Sequence, residues 1–240
     1  MTIHRFFVPQ DAIHNQFVTL PADISKQITK VLRLGRGDEI VILDNSGMEY
    51  TVKLEQMISN GVSGKIVERV MNQAEPEIKI TLFQALLPRD KFEMILQKCT
   101  EIGVSKFVPI ETKRSLIKKN NFRIEKMDRW ERIVKEAAEQ SERGIIPEIG
   151  EVLTFEEAID EIITDGEAWI AWEEEIDIQI RNVKLTQKNI GIFIGPEGGF
   201  ESAEIDFAIK KGAKTFSLGK RILRSETAGM VASSIILSSE

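Results

Sequence analysis

Hydrophobic and polar positions alternate with a period of two through EIVILD (39–44), EYTVKLEQM (49–57) and VSGKIVERV (62–70), and Gly, Asp or Asn bound each run. Alternation over such short runs belongs to antiparallel strands with one buried face. Between HRFFV and EIVIL the spacing changes, because Ile24, Ile28, Val31 and Leu32 share one helical face of ADISKQITKVLR, and Gly35 is expected to end that helix. These elements predict a small β-barrel carrying one helix.

The segment MNQAEPE (71–77) loses periodicity around Pro76 and reads as a domain boundary, giving domains 1–72 and 73–240. Beyond it the pattern alternates between strand and helix. KITLFQALL is an apolar run suited to a buried strand, after which Phe92, Ile95, Leu96, Cys99 and Ile102 recur at helical spacing up to Gly103. KFVPI is the next strand. Trp130, Ile133, Val134, Ala137 and Ala138 mark another amphipathic helix, and Thr154 with Glu157 forms a capping box for the next. AWIAW and NIGIFIG follow as strands, then a helix over 202–211 with Ser202 as candidate N-cap, the strand KTFSLG, and a last helix capped by Ser225. The fold class is α/β, with a mostly parallel sheet covered on both faces.

Composition permits a sizeable core: 42% of the 240 residues are apolar, and 16 glycines add to them. The single Cys99 cannot form an internal disulfide, and MTIHRFFVPQ has charges and a proline where a secretory signal needs an apolar run. With no apolar run near the length of a membrane span, the expected location is cytoplasmic. His4 and His14 are the only histidines, so no metal site of the Cys/His kind is expected and a Ser-His-Asp triad is disfavoured.

Charge is distributed unevenly along the chain. The net charge is -6, yet residues 79–135 hold 14 basic and 7 acidic side chains, whereas 136–187 hold 3 and 15. The basic block contains Lys106, Lys113, Arg114, Lys118, Lys119, Arg123 and Lys126, a density suited to tracking phosphates and equally compatible with a solvated surface. The acidic block is expected to be a solvated face.

Two loops have the composition of a ligand site. GPEGGF (195–200) follows the apolar strand IGIFI, and its glycines let backbone approach a ligand; the order is neither that of a dinucleotide fingerprint nor that of a P-loop. LGKRILRSETA (218–228) follows KTFSL and places Ile222 and Leu223 in a loop flanked by Lys220, Arg221 and Arg224. Apolar side chains there pack against neighbouring chain or against a flat ligand such as adenine.

HRFFV, VLRLGRGDEI, LQKCTEIGVSKFVPIETKRS, RWERIVKEAAEQSERGIIPEI, IGPEGGF and LGKRILRSETA, in this order and spacing, resemble the ribosomal RNA small subunit methyltransferase E family of the SPOUT class. The likeness runs from about residue 3 to the C-terminus. It departs from the family pattern at Gln27, where a histidine is expected before VLR, and at Lys220, where proline is commoner.

The resemblance implies a PUA-like β-barrel followed by a SPOUT domain whose C-terminal part forms a deep trefoil knot. It implies S-adenosylmethionine as cofactor, held by Gly195, Pro196, Glu197 and Gly198, by Leu218, Gly219, Ile222 and Leu223, and by Trp172 and Glu173. It further implies a homodimer that methylates N3 of a uridine in the decoding region of 16S ribosomal RNA. For that chemistry Arg224 is the candidate for stabilising the N3 anion or positioning the base, with Glu226 beside it. Arg5, Lys30, Arg33, Arg114 and Lys118 are the candidate RNA contacts, and Phe6 and Phe7 either stack a base or belong to the core. Ribose 2′-O methylation on the same fold, and a non-catalytic RNA-binding module, are the alternatives.

Overall fold

The structure, a computed structural model, describes residues 3–58, 61–119 and 125–238. The chain divides into two compact units, one comprising the chain up to Glu75 with Ala138–Ile146, the other Pro76–Ala137 with Pro147 onward. The first thus takes in a short stretch, 138–146, from far beyond residue 72.

In the first unit β1 (Arg5–Phe7), β2 (Ile13–His14) and β3 (Phe17–Thr19) precede the short helix α1 (Ala22–Lys26), and β4 (Glu39–Leu43), β5 (Met48–Ile58) and β6 (Gly61–Met71) follow it. They form one sheet in the order β1-β4-β5-β6-β3-β2. Every pairing is antiparallel except that of β1 with β4. Strand alternation sorts the two adjacent aromatics: Phe6 enters the core with Ile40, Ile42 and Val52, while Phe7 points the other way onto Val41, Leu43 and Ala138. Both phenylalanines are buried, so neither can stack a base.

The helix after β3 ends two residues before the expected glycine. From α1 the backbone widens into a π-type turn over Gln27–Leu32, and Arg33 stops it in the left-handed region at φ 56° and ψ 34°. A non-glycine residue there costs about 1–2 kcal/mol; the Ile28 carbonyl accepts from both the Arg33 and the Leu34 N–H, the latter at 3.0 Å, which closes the last turn.

The segment 138–146 is tied into this unit by buried charge. Arg143, 2% exposed, is bidentate to Glu75, with Nη2 at 2.9 Å, and Glu75 also accepts from the backbone N–H groups of Gly144 and Ile145. Glu139 accepts from the Phe7 N–H at 2.9 Å.

The second unit contains β7 (Lys79–Ala85), α2 (Arg89–Ile102), β8 (Lys106–Glu111), α3 (Glu125–Gln140, shared with the first unit), β9 (Glu148–Ile149), β10 (Leu153–Thr154), α4 (Phe155–Ile163), β11 (Glu167–Ala171), β12 (Asn189–Ile194), α5 (Ser202–Lys210), β13 (Lys214–Phe216) and α6 (Ser225–Leu237). The sheet runs β10-β8-β7-β12-β11-β13, with β9 beside β8, and all its pairings are parallel. A parallel sheet must be covered on both faces, and the central strands β7 and β12 are accordingly buried at every residue after their first. Phe83 and Phe193 stack with centroids 4.3 Å apart, and Phe155 meets Phe193 edge-on at 5.8 Å.

Local chemistry sets the helix ends. Thr154 and Glu157 make the expected capping box on α4. The cap of α5 is Glu201, not Ser202, because Glu201 and Glu204 exchange side-chain and backbone hydrogen bonds. Ser225 does not cap α6 either; Arg224 holds the N-cap position without a side-chain bond, and the serine hydroxyl is engaged elsewhere.

The acidic and basic blocks meet in this unit. Because β10 pairs with β8, α4 lies beside β8 and the loop after it, and Lys106, Lys113 and Lys119 pair with Glu161, Glu156 and Glu157 at 3.1, 3.7 and 3.1 Å. The acidic block is therefore partly a counter-charge to the basic one and not simply a solvated face. Arg123 lies outside the described residues.

Candidate active site

In an open parallel sheet, ligands bind beyond the carboxyl ends of the strands. The loops leaving β11, β12 and β13 converge there on a cavity of about 660 Å³. That volume lies within the range of small-molecule sites. The loop after β11 contributes Trp172 and Glu173; that after β12 contributes Gly195, Pro196 and Glu197; that after β13 contributes Leu218, Gly219, Ile222, Leu223 and Arg224. Of the ten residues expected at a cofactor, Gly198 alone is not in the wall, and it backs onto the Arg114 side chain.

The glycine-rich loop is anchored at both ends. Phe200 is buried against Phe155 at 5.2 Å, and a side chain at Gly195 would come within 3.1 Å of the Phe200 ring. Gly199 holds φ +68° and abuts the Glu173 carboxylate, while Gly219 holds φ +106°, a conformation L side chains rarely adopt. Beside this loop, Arg114 donates to the Gly198 carbonyl at 2.9 Å and lies 3.8 Å from Glu201. Lys113 N–H donates to the buried Glu204 at 3.0 Å. Arg114 therefore supports the loop from outside.

One wall was not legible as a site in the sequence. The Glu175 carboxylate accepts from the N–H groups of Asp177 and Ile178 and from Thr215 Oγ at 2.5 Å, curling the chain after β11. The Thr215 hydrogen bond, foremost, holds that carboxyl below its usual range, with burial opposing and backbone N–H groups adding. Ile180 N–H and Ser217 N–H then exchange bonds with the Ser217 and Ile178 carbonyls, extending the sheet past β13. Ile176 and Gln179 join the cavity lining by this route.

Charged groups collect at one end. Lys91, in the first turn of α2, contacts Glu197 and lies 3.9 Å from Glu226 Oε2. The Glu197 hydrogen bond, opposed by burial and by the neighbouring Arg224, pushes the Lys91 ammonium above its ordinary value. Glu226 is 7% exposed, and its Oε2 has no hydrogen-bond partner among the described residues. Gln84, fully buried at the end of β7, donates from Nε2 to Ser225 Oγ and leaves Oε1 unpartnered.

The residues expected at RNA are distributed unequally. Arg5 is engaged within the first unit by Glu49 at 2.7 Å and Glu142 at 3.3 Å. Lys30 and Arg33 are exposed on the helix before β4. Lys118 lies 3.4 Å from Glu111. Among the described residues no group of His, Cys, Asp or Glu has the arrangement of a metal site, and no helix is long and apolar enough to cross a membrane.

A family of RNA methyltransferase domains matches residues 74–237, which includes every residue of this cavity. The ribosomal RNA small subunit methyltransferase E of Synechocystis is 35% identical over 95% of this chain and 75% of its own. This chain belongs to the ribosomal RNA small subunit methyltransferase E family. The crystal structure of the family member from Neisseria gonorrhoeae, bound to S-adenosyl methionine, superposes with a TM-score of 0.88 at 27% identity, covering 99% of this chain and 98% of that one. A methyltransferase of Legionella pneumophila, also in complex with this cofactor, superposes with a TM-score of 0.86 at 27% identity, covering 100% and 98%.

The cavity of this family member suits such a molecule. Trp172, Pro196, Leu218, Ile222 and Leu223 offer apolar surface for a flat base, and the positive-φ glycines leave backbone accessible to a polar ligand.

Proposed function

We propose that this chain is an S-adenosylmethionine-dependent methyltransferase that modifies N3 of a uridine in the decoding region of 16S ribosomal RNA, in the cytoplasm, as a homodimer. The carrying observation is the cavity built from three strand-end loops with Arg224 on its wall. In this reading the first unit is a PUA-like RNA-binding barrel, and the loops after β12 and β13 belong to a trefoil knot that threads α6.

The bound cofactor supplies an electrophilic methyl group on a sulfonium, which needs no metal. The protein must align the acceptor with that methyl and exclude water. Trp172, Glu173, Gly195 to Gly198, Leu218, Gly219, Ile222 and Leu223 hold the donor. Uridine N3 carries a proton, so a base must remove it and a cation must stabilise the anion. Arg224 supplies the cation, and Glu226, buried with an oxygen that accepts no hydrogen bond among the described residues, is the nearby proton acceptor.

N3 lies on the pairing edge, so the uridine must be presented unpaired. Lys30 and Arg33 from the first unit, and Arg114 and Lys118 from the second, contact the RNA backbone, with Arg5 positioned through its two glutamates. Ile176 and Ile222 line the cavity yet are 81% and 86% exposed, an apolar rim that a second subunit or the RNA covers.

Incubation with labelled S-adenosylmethionine and small subunits lacking the modification tests this reading. Digestion to nucleosides should yield labelled 3-methyluridine. Label on ribose would overturn the base assignment, and absence of label in any nucleoside would contradict the reaction. Sedimentation at the 27.2 kDa of one chain would contradict the dimer.

A further inference from the structure

The charged cluster at the end of the cavity contains one member that neither the loop motifs nor the reaction chemistry singled out. Lys91 comes from the first turn of α2, the helix that follows β7, and β7 lies beside β12 in the sheet. Its ammonium contacts Glu197, at the bend of the glycine-rich loop, and lies 3.9 Å from Glu226 Oε2 in the first turn of α6. Exposure of the three side chains falls from 40% at Glu197 through 25% at Lys91 to 9% at Glu226, so the lysine bridges from solvent to a nearly buried carboxylate.

Two carboxylates that approach one point repel each other, and the inner one has no hydrogen-bond partner for Oε2 among the described residues. Removing a cation from such a group leaves an uncompensated buried charge, which is strongly unfavourable. Arg224 is close enough to act on Lys91, yet it is exposed. Lys91 is thus the only described cation that forms an ion pair with both Glu197 and Glu226.

We propose that Lys91 is a positioning residue that fixes the glycine-rich loop in its donor-binding form by tying Glu197 to Glu226 across the end of the cavity. It acts through those two carboxylates, one of them the proposed proton acceptor, and does not itself touch the substrate. The effect on the donor rests on the methyltransferase reading, whereas the effect on the loop does not.

Two readouts on the full-length protein separate these cases. Lys91→Met keeps the length of the side chain and removes its charge, and Lys91→Arg restores the charge. Hydrogen exchange of the 195–200 amides without ligand should quicken about tenfold in Lys91→Met, the loss expected of one partly buried charge-assisted bond, and recover in Lys91→Arg. Calorimetric titration with S-adenosylmethionine should show donor affinity falling by about the same factor. In a Glu197→Gln background, Lys91→Met should add little to the exchange rate. Unchanged exchange in Lys91→Met, or a full additional effect in the Glu197→Gln background, overturns the proposal. A wild-type protein that binds no donor counts against the methyltransferase reading, and the exchange comparison still decides the role of Lys91.

Discussion

Gln84 and Ser225 stand 141 residues apart in sequence and meet in the interior, the glutamine amide donating to the serine hydroxyl at 2.9 Å. That hydroxyl donates in turn to the Gly195 carbonyl at 2.5 Å. One serine thus joins the end of β7, the start of the glycine-rich loop and the first turn of α6. It does so instead of capping its own helix.

Ser225→Ala should therefore cost more than a lost helix cap. It leaves the Gln84 amide without that bond in a fully buried position, a penalty of about 1–3 kcal/mol in denaturant unfolding. The double variant with Gln84→Met should recover part of the loss, because it removes the stranded amide and leaves only the Gly195 carbonyl without its donor. A double variant less stable than Ser225→Ala alone would contradict this account of the contact.

Glu167 sets a pH dependence of stability. Burial works to raise its carboxyl, but Lys214 at 3.0 Å, the Thr186 hydroxyl at 2.8 Å and the backbone N–H groups of Thr186 and Gln187 outweigh it and hold the pKa at about 2. A carboxyl depressed on folding contributes fully above its unfolded value and loses that contribution as pH falls toward the folded one. Glu167→Gln should lower stability by about 1–3 kcal/mol at pH 7. The gap between the two proteins should close as pH drops from about 4.5 toward 2. A gap independent of pH would remove the charge from the explanation.

Cys99 should be inert in the native protein. It is fully buried on the inner face of α2, and burial pushes its thiol up to about 12, so thiolate is scarce at ordinary pH. Reaction with a thiol reagent at pH 8 should proceed only at the rate of opening and should accelerate in denaturant. Rapid stoichiometric labelling of the folded protein would contradict the burial.

Gly219 tests the geometry of the second loop. Space is no obstacle, since nothing lies within 4 Å of an added Cβ, but its φ of +106° is unfavourable for alanine. Gly219→Ala should cost about 1–3 kcal/mol in backbone strain and weaken donor binding while leaving the core intact. Undiminished donor affinity in this variant would place the donor away from that loop.

Period-two and helical spacing located the longer strands and the helices, because each buries one face and its residues record that face, whereas β2, β3, β9 and β10, two or three residues long, are too short to show a period. The roles of Phe6 and Phe7 stayed open in the sequence, and the structure places them in two different core clusters. Caps were less legible: Ser202 and Ser225 have the chemistry of an N-cap, and the deciding contacts, Glu201 with Glu204 and Ser225 with Gly195, depend on what the fold brings near. Arg33 ended its helix before Gly35 for a similar reason, since the local bonds, not residue type, chose the left-handed position.

The loops of the site stood out by composition, whereas Lys91, Gln84, Ile176 and Gln179 did not. Their positions come from strand order, and no local pattern carries that information. Segment counting found the two charge blocks, but only the pairing of β8 with β10 shows that they neutralise each other.

In the proposed reaction, methyl transfer occurs in the cavity bounded by the loops after β11, β12 and β13, with Arg224 acting on the uridine. The direct measurement is nucleoside analysis of small-subunit RNA after reaction with labelled donor, wild type and Arg224→Ala side by side. Arg224 is exposed, so the variant should fold and bind the donor. The account predicts labelled 3-methyluridine with wild type and a loss of at least about a hundredfold with the variant, as expected when a group stabilising transition-state charge is removed. Equal labelling by both proteins would contradict it.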